Sequence, residues 1–372
     1  MKTVATAREV VDADLNSIIE DARDEFEALA GRRLLITGGA GFLGYYLVQA
    51  VARWNVGHEG PHRIELTVLD NYVRGVPAWM EPLHDIPGIS LRRHDIVEPL
   101  PSGQEPHYVV HAAGIASPTY YRAHPLETMD ANIGGLRRLL DHALGRKSGP
   151  DPLLGFLFFS SSEIYGDPTP ESIPTSEDYR GNVSCTGPRA PYDESKRYGE
   201  TLCVTFARHY GLPVAVARPF NNFGPGLKIT DRRVIPDFAH NVLSGQDITL
   251  FSDGSATRTF CYAADAVTGY FKVLVRGRPG EPYNIGVEKP EVSMSELAGR
   301  VVATARDLFG YEGSVVLGVS EEEDYLVDNP NRRCPIIEKA RTELGYAPKV
   351  ELDEGLRRSL LWYAAHREGA SA

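Results

Sequence analysis

The chain has 372 residues, 42% of them hydrophobic and 24% charged, and a formal net charge of -11 at pH 7. That length and apolar content suffice for one large domain or two intimate ones around a buried core. The acidic balance argues against a nucleic-acid or anionic-membrane partner, because gripping phosphates at scale needs clustered Lys and Arg. Cys185, Cys203, Cys261 and Cys334 are scattered with no C-x-x-C pair. This pattern suits a reduced, cytoplasmic setting and lends no support to a metal site. The start of the chain is polar and acidic without a signal-peptide h-region, and no apolar run approaches membrane-spanning length.

In chain order, residues 9–29 carry Val10, Val11, Leu15, Ile18, Ile19, Phe26 and Leu29 at helical spacing. They predict an amphipathic extension over residues 1–30 that serves packing or oligomer contact rather than chemistry. Strands are expected at 32–37, 64–70, 90–96, 107–113, 155–162 and 213–220, and helices at 41–54, 127–144 and 194–210. Strands separated by helices imply a doubly wound, Rossmann-type parallel sheet over residues 31–220. Beyond residue 221 the chain turns richer in Pro, Gly and loop. Residues 221–372 are therefore expected to be mainly a smaller substrate-binding domain, with an interleaved border.

The segment TGGAGFLG sets Gly38, Gly41 and Gly44 at intervals of three between a strand and a helix, with Phe42 and Leu43 inside the turn. Such a turn needs one glycine for chain reversal, one for close approach of a pyrophosphate and one for helix–sheet packing. The helix N-terminus then offers N–H groups to the phosphates. Asp70 ends the second strand, followed by Asn71, where a carboxylate can bind the adenosine ribose. A carboxylate there repels a 2′-phosphate, favouring NAD over NADP, although Arg74 lies nearby. Asp95 and Ile96, after the third strand, suit an adenine contact.

Tyr192 and Lys196 sit four apart in PYDESKR and so share one helix face. A phenol titrates near ~10, and an adjacent ammonium is expected to lower that value toward useful basicity. Ser160, Ser161, Ser162 and Glu163 end the strand FLFFSSSE, at the edge where ligands bind in an open α/β sheet.

The order TGGxGxxG, Asp, S-S-S-E-x-Y-G, Y-x-x-x-K and R-P-F-N resembles the extended short-chain dehydrogenase/reductases that modify nucleotide sugars, over residues 32–362. Within that group the chain looks most like the UDP-glucuronate decarboxylases. The stretches HDIVEPL, SEIYGDP, GPRAPYDESKR, FNNFGP and DRRVIPDF carry the likeness. The resemblance implies NAD as cofactor, a UDP-sugar as substrate and a homodimer paired through the helices at 127–144 and 193–210. Ser161 then bonds the reacting sugar hydroxyl, Glu163 is the active-site Glu, Tyr192 the base and Lys196 its partner. Asn221, Arg233 and Arg258 match positions that hold the nucleotide diphosphate, Arg333 a late Arg that closes over the substrate, and Ser162 and Arg189 lie at the sugar pocket. Two departures are Gly114-Ile115, where decarboxylases commonly read Ser-Pro, and Arg122.

The implied reaction is decarboxylation of UDP-glucuronate to UDP-xylose through a 4-keto sugar. A UDP-sugar or UDP-uronate 4-epimerase, a 4,6-dehydratase and a non-catalytic NAD-sensing module are the alternatives. Ser162 stands where a dehydratase would carry an acidic Asp, and Tyr192 with Lys196 argues against a module that has lost its chemistry.

Overall fold

A computed structural model describes residues 6–147, 149, 151–319 and 327–367. The chain opens on α1 (Ala7–Asp21) and α2 (Arg23–Leu29). Thr6 caps α1 reciprocally with Glu9. The single helix expected over 9–29 is broken where Ala22 leaves helical geometry at φ -116° and ψ 28°. Then come β1 (Arg33–Thr37), α3 (Phe42–Val56), β2 (Glu65–Asp70), β3 (Ile89–Arg93), β4 (Tyr108–His111), α4 (Pro118–Ala123), α5 (Pro125–Met129), α6 (Leu136–Arg146), β5 (Gly155–Phe159), α7 (Ala190–Tyr210) and β6 (Val214–Pro219). The remainder comprises β7 (Asn222–Phe223), α8 (Val234–Leu243), β8 (Ile248–Leu250), β9 (Thr257–Arg258), β10 (Cys261–Tyr262), α9 (Ala263–Arg276), β11 (Pro282–Ile285), β12 (Val292–Ser293), α10 (Met294–Phe309), β13 (Val315–Leu317), β14 (Arg332–Arg333), α11 (Glu338–Leu344) and α12 (Leu352–Ala365).

Seven strands form one parallel sheet in the order β11-β6-β5-β4-β1-β2-β3. This is the doubly wound sheet that the strand–helix alternation implies. The order reverses between β1 and β4, and a crevice opens there at the carboxyl ends of the strands. Side-chain alternation assigns the two faces. Leu34 and Ile36 join the core built with α3 and α9, whereas Leu35 joins Leu136, Leu140, Cys203 and Phe206 of α6 and α7. The seventh strand, β11, comes from beyond residue 220. Its four residues, PYNI, lie next to a Pro-Gly-rich stretch and are too short to announce a strand.

Two boundary differences shape the site. Pro191 in the first turn lets α7 begin at Ala190, so Tyr192 lies inside the helix. The helix expected at 127–144 is interrupted by a π-helical turn over Asp130–Gly135. Gly135 sits there against Ile96, whose Cγ2 would lie 2.6 Å from any added Cβ.

The N-terminal helix is tied to the body of the molecule by Asp14, which is fully buried. Its carboxylate accepts from Tyr46, from Tyr262 at 2.6 Å and from Arg358 Nη1 at 2.6 Å. Asp14→Asn keeps the shape but removes the charge facing Arg358, a loss of roughly 1.5–3 kcal/mol for a charge-assisted bond. Calorimetry should therefore show a lower thermal midpoint for the variant; an unchanged midpoint would mean that the network contributes nothing. Among the described residues, no helix is long and apolar enough to cross a membrane.

Candidate active site

The glycine turn closes the crevice at β1. Gly38 has φ 72°, and a Cβ on it would sit 2.5 Å from Ala113 N; one on Gly44 would sit 2.2 Å from Gly39 O. Helix α3 starts at Gly41 with no side chain capping it, so the N–H groups of Phe42, Leu43 and Gly44 have no side-chain partner. Asp70 accepts from Ala40 N–H at 2.9 Å and Tyr72 N–H at 2.8 Å. Burial pushes its pKa up, and the neighbouring Asp95 pushes in the same direction. Asn71 donates to Asp95 at 3.0 Å, holding the ends of β2 and β3 together. The side chain of Ile96 belongs to the core with Leu69 and Leu136, which leaves its main chain for any adenine contact. Arg74 is committed elsewhere: it pairs with Asp231 at 2.9 Å and lies over the Tyr120 ring at 4.4 Å. An uncapped helix start, a turn without Cβ atoms and a carboxylate at the end of β2 together fit a dinucleotide.

Where β5 ends, Ser161 starts a short 3-10 turn over Ser162–Tyr165, and its hydroxyl accepts from Glu163 N–H at 3.2 Å. The same hydroxyl lies near enough to the Tyr192 phenol to pull its pKa down. Tyr192 is buried and stacked on Tyr121, with ring centroids 5.0 Å apart and planes 10° apart. Lys196 Nζ donates to Phe159 O at 2.9 Å and lies 5.7 Å from the centre of the Tyr192 ring. The expected lowering of the phenol by the ammonium does not hold in the chain alone. Burial dominates both groups: it pushes Tyr192 up to about 12, against the pull of Ser161, and Lys196 down to about 7. Behind them Asn132, on the π turn, donates to Ser195 at 2.9 Å, and its Oδ1 has no partner. A Cβ at Gly114 would lie 2.3 Å from that oxygen. Gly114 thus packs closely against Asn132, with φ 155°.

Three arginines gather beyond Glu163. Arg333 grips its carboxylate with both terminal nitrogens, one at 2.7 Å, and Arg189 binds it from the other side. Burial pushes Glu163 up, but the charges of Arg189 and Arg333 outweigh it and hold the carboxyl well below its usual range. Arg258 is buried, and among the described residues its hydrogen-bond partners are neutral oxygens, those of Thr257, Asn329, Pro330 and Asn331. Burial, with Arg333 adding repulsion, pushes its pKa down to about 9. Ser162 is buried beside this cluster, adding no charge. Asn221 and Arg233 hold partners other than Glu163. Asn221, at φ 40°, donates to Thr259 O at 2.8 Å, and Arg233 reaches Asp231 at 3.1 Å and Ala116 O at 3.1 Å.

Sequence reasoning passed over three residues here: Tyr121, Asp231 and Asp193. Asp193 stands between Tyr192 and Lys196 in the motif, and a carboxylate on an otherwise inward-facing first turn is the signal that could have found it. It is 4% exposed, its Oδ1 has no partner, and its Oδ2 lies 3.7 Å from Arg189 Nε. Burial first, then the charge of Glu163, push its pKa far above the ordinary carboxyl value. A folded value above the unfolded one (about 3.9) contributes stability fully present below pH ~4 and lost as pH rises through the folded value. Asp193→Asn, which cannot titrate, should therefore gain stability relative to the parent between pH 5 and pH 8. Thermal melts at the two pH values check this, and a constant difference would contradict it.

The family described as NAD dependent epimerase/dehydratase matches residues 34–286. UDP-glucuronic acid decarboxylase 1 of Xenopus tropicalis is 36% identical over 337 residues, covering 91% of this chain and 73% of its own. Among solved structures, the epimerase Mth375 of Methanothermobacter thermautotrophicus superposes with a TM-score of 0.78 at 28% identity, covering 95% of this chain and 97% of its own. The dTDP-glucose 4,6-dehydratase DesIV of Streptomyces venezuelae, solved with NAD bound, gives 0.76 at 28% identity, with 91% and 99% covered.

Proposed function

The chain belongs to the NAD dependent epimerase/dehydratase family, and on that premise we propose that it decarboxylates UDP-glucuronate to UDP-xylose through a 4-keto sugar. The observation that carries this reading is the charge of the sugar end. Arg189 and Arg333 converge on one ionised carboxylate, Glu163, and burial with the charge of Glu163 pushes the neighbouring Asp193 toward its neutral form. A site with that excess of buried positive charge favours an anionic sugar over a neutral hexose.

NAD, when bound at the glycine turn by Gly38–Gly44 and Asp70, supplies reversible oxidation of the sugar at C4. Tyr192, in the phenolate form that the positive charge of the bound cofactor would favour, accepts the proton of the C4 hydroxyl and returns it at the end, with Ser161 orienting the same oxygen and Lys196 supplying the local charge. Once C4 is a ketone, the C6 carboxylate is β to a carbonyl. The C5–C6 bond can then break with its electrons passing to the C4 oxygen, where the Tyr192 and Ser161 hydroxyls stabilise them. Glu163 holds Arg189 and Arg333 in place beside the departing carboxylate. Arg233, Arg258 and Asn221 take the nucleotide diphosphate. Expulsion of a C6 hydroxyl would need an acid in the place of Ser162, whose hydroxyl is a poor donor. Two copies of the chain pair through α6 and α7, where Tyr198 and Tyr210 are exposed. Light scattering at micromolar concentration should give a dimer, and a monomer would contradict the pairing.

Incubating the protein with UDP-glucuronate, UDP-glucose and UDP-galactose and weighing the products tests the reaction. Loss of carbon dioxide from UDP-glucuronate alone supports it. Loss of water from UDP-glucose would mark a dehydratase.

A further inference from the structure

Building on that decarboxylation, we propose that Asp193 supplies the proton the reaction consumes and is recharged from a polar cavity behind the arginine cluster. The stoichiometry demands a proton at C5. A carboxylate leaves as neutral carbon dioxide and C5 gains a hydrogen, so each turnover takes one proton from solvent. Tyr192 cannot provide it, because the proton it takes from the C4 hydroxyl goes back to the C4 oxygen. Glu163 cannot, because Arg189 and Arg333 hold it ionised. The guanidinium groups do not release protons near neutrality.

Asp193 is next to Tyr192 in the first turn of α7, and its buried Oδ1 is without a partner. It lines a cavity of about 420 Å³ together with Asp167, Asn182, Ser184, Asp328 and Asn329. Those walls are polar enough, and the space large enough, to hold several waters. The groups that set its charge state come from every side. Arg189 on its own helix and Arg333 on β14 favour ionisation, whereas Glu163 after β5 and Asp328 before β14 oppose it, and burial adds to that opposition. Burial and the two carboxylates together raise the carboxyl above its ordinary range and favour its neutral form.

In the step itself, the enolate left by carbon dioxide re-forms the C4 carbonyl, and its electron pair makes the C5–H bond. The O–H bond of Asp193 breaks, directly or across one water, and the carboxylate takes a new proton from the cavity.

The test uses the full-length holoenzyme with UDP-glucuronate and counts carbon dioxide and UDP-xylose in the same reaction. The parent should give one of each. With NAD added in excess, because each ketopentose that leaves strands one NADH, Asp193→Asn should keep releasing carbon dioxide while UDP-xylose falls at least tenfold and UDP-4-ketopentose and NADH accumulate in equal amounts; Asp193→Glu should restore the balance. In D₂O the parent should place deuterium on one face of C5, and Asp193→Asn on both. A variant that keeps the one-to-one yield and single-faced labelling overturns the assignment. Should the variants not fold, the parent decides: its ratio of carbon dioxide to UDP-xylose must rise with pH as Asp193 loses its proton, and a constant ratio overturns the proposal. A parent that releases no carbon dioxide removes the decarboxylation reading itself.

Discussion

Tyr192→Phe should lower turnover by roughly 10²–10⁴-fold, the usual contribution of a positioned proton-transfer group, while NAD stays bound. The substitution removes one oxygen. The ring keeps its stack on Tyr121, and the loss is confined to the hydroxyl. The residues fitted to the dinucleotide phosphates, Gly38 to Gly44, lie on a different element and are untouched. Turnover of UDP-glucuronate and the NAD content of the purified protein, measured on the same sample, separate the two effects. More than a tenth of the parent rate in Tyr192→Phe would show that another group moves the proton.

Glu163→Gln should be the most destabilising single change at the site. It leaves Arg189 and Arg333 buried with no carboxylate between them, and breaking a buried pair in this way costs about 3–5 kcal/mol. Because the folded pKa of Glu163 is depressed, its contribution is present above the unfolded value of about 4.3 and disappears as pH falls through the folded one. The deficit of the variant should accordingly be full at pH 7 and shrink in acid. Asp193 tempers the loss: without the repulsion of Glu163 it can ionise and face the two arginines itself. Glu163→Gln with Asp193→Asn should therefore be less stable than the two single effects added together. Calorimetry on the four proteins reads this directly, and simple additivity would contradict the coupling.

What could be read from the residues alone followed the range of the interactions. The glycine turn, Asp70 and the Tyr192–Lys196 pair depend on spacing within one element, and local sequence encodes them. The ionic clamp on Glu163 does not: Arg333 lies 170 residues away, and only the three-dimensional fold brings them together. The same is true of Asp231, which joins Arg74 from the β2 side to Arg233 before α8. The strand β11 escaped because a four-residue element carries too little pattern, and the π turn because the helical spacing over 127–144 runs through it without a break. The effect of Lys196 on Tyr192 was misjudged for a different reason. Spacing predicts proximity, but burial, which spacing does not report, governs both titrations.

The most direct measurement of the central claim is the NMR spectrum of the sugar nucleotide formed from UDP-glucuronate labelled with carbon-13 at C6. Decarboxylation predicts that the label leaves as carbon dioxide and that the product is UDP-xylose, a pentose bearing two protons at C5. Retention of the label in UDP-galacturonate, with no pentose formed, would contradict the account and make the protein a uronate 4-epimerase.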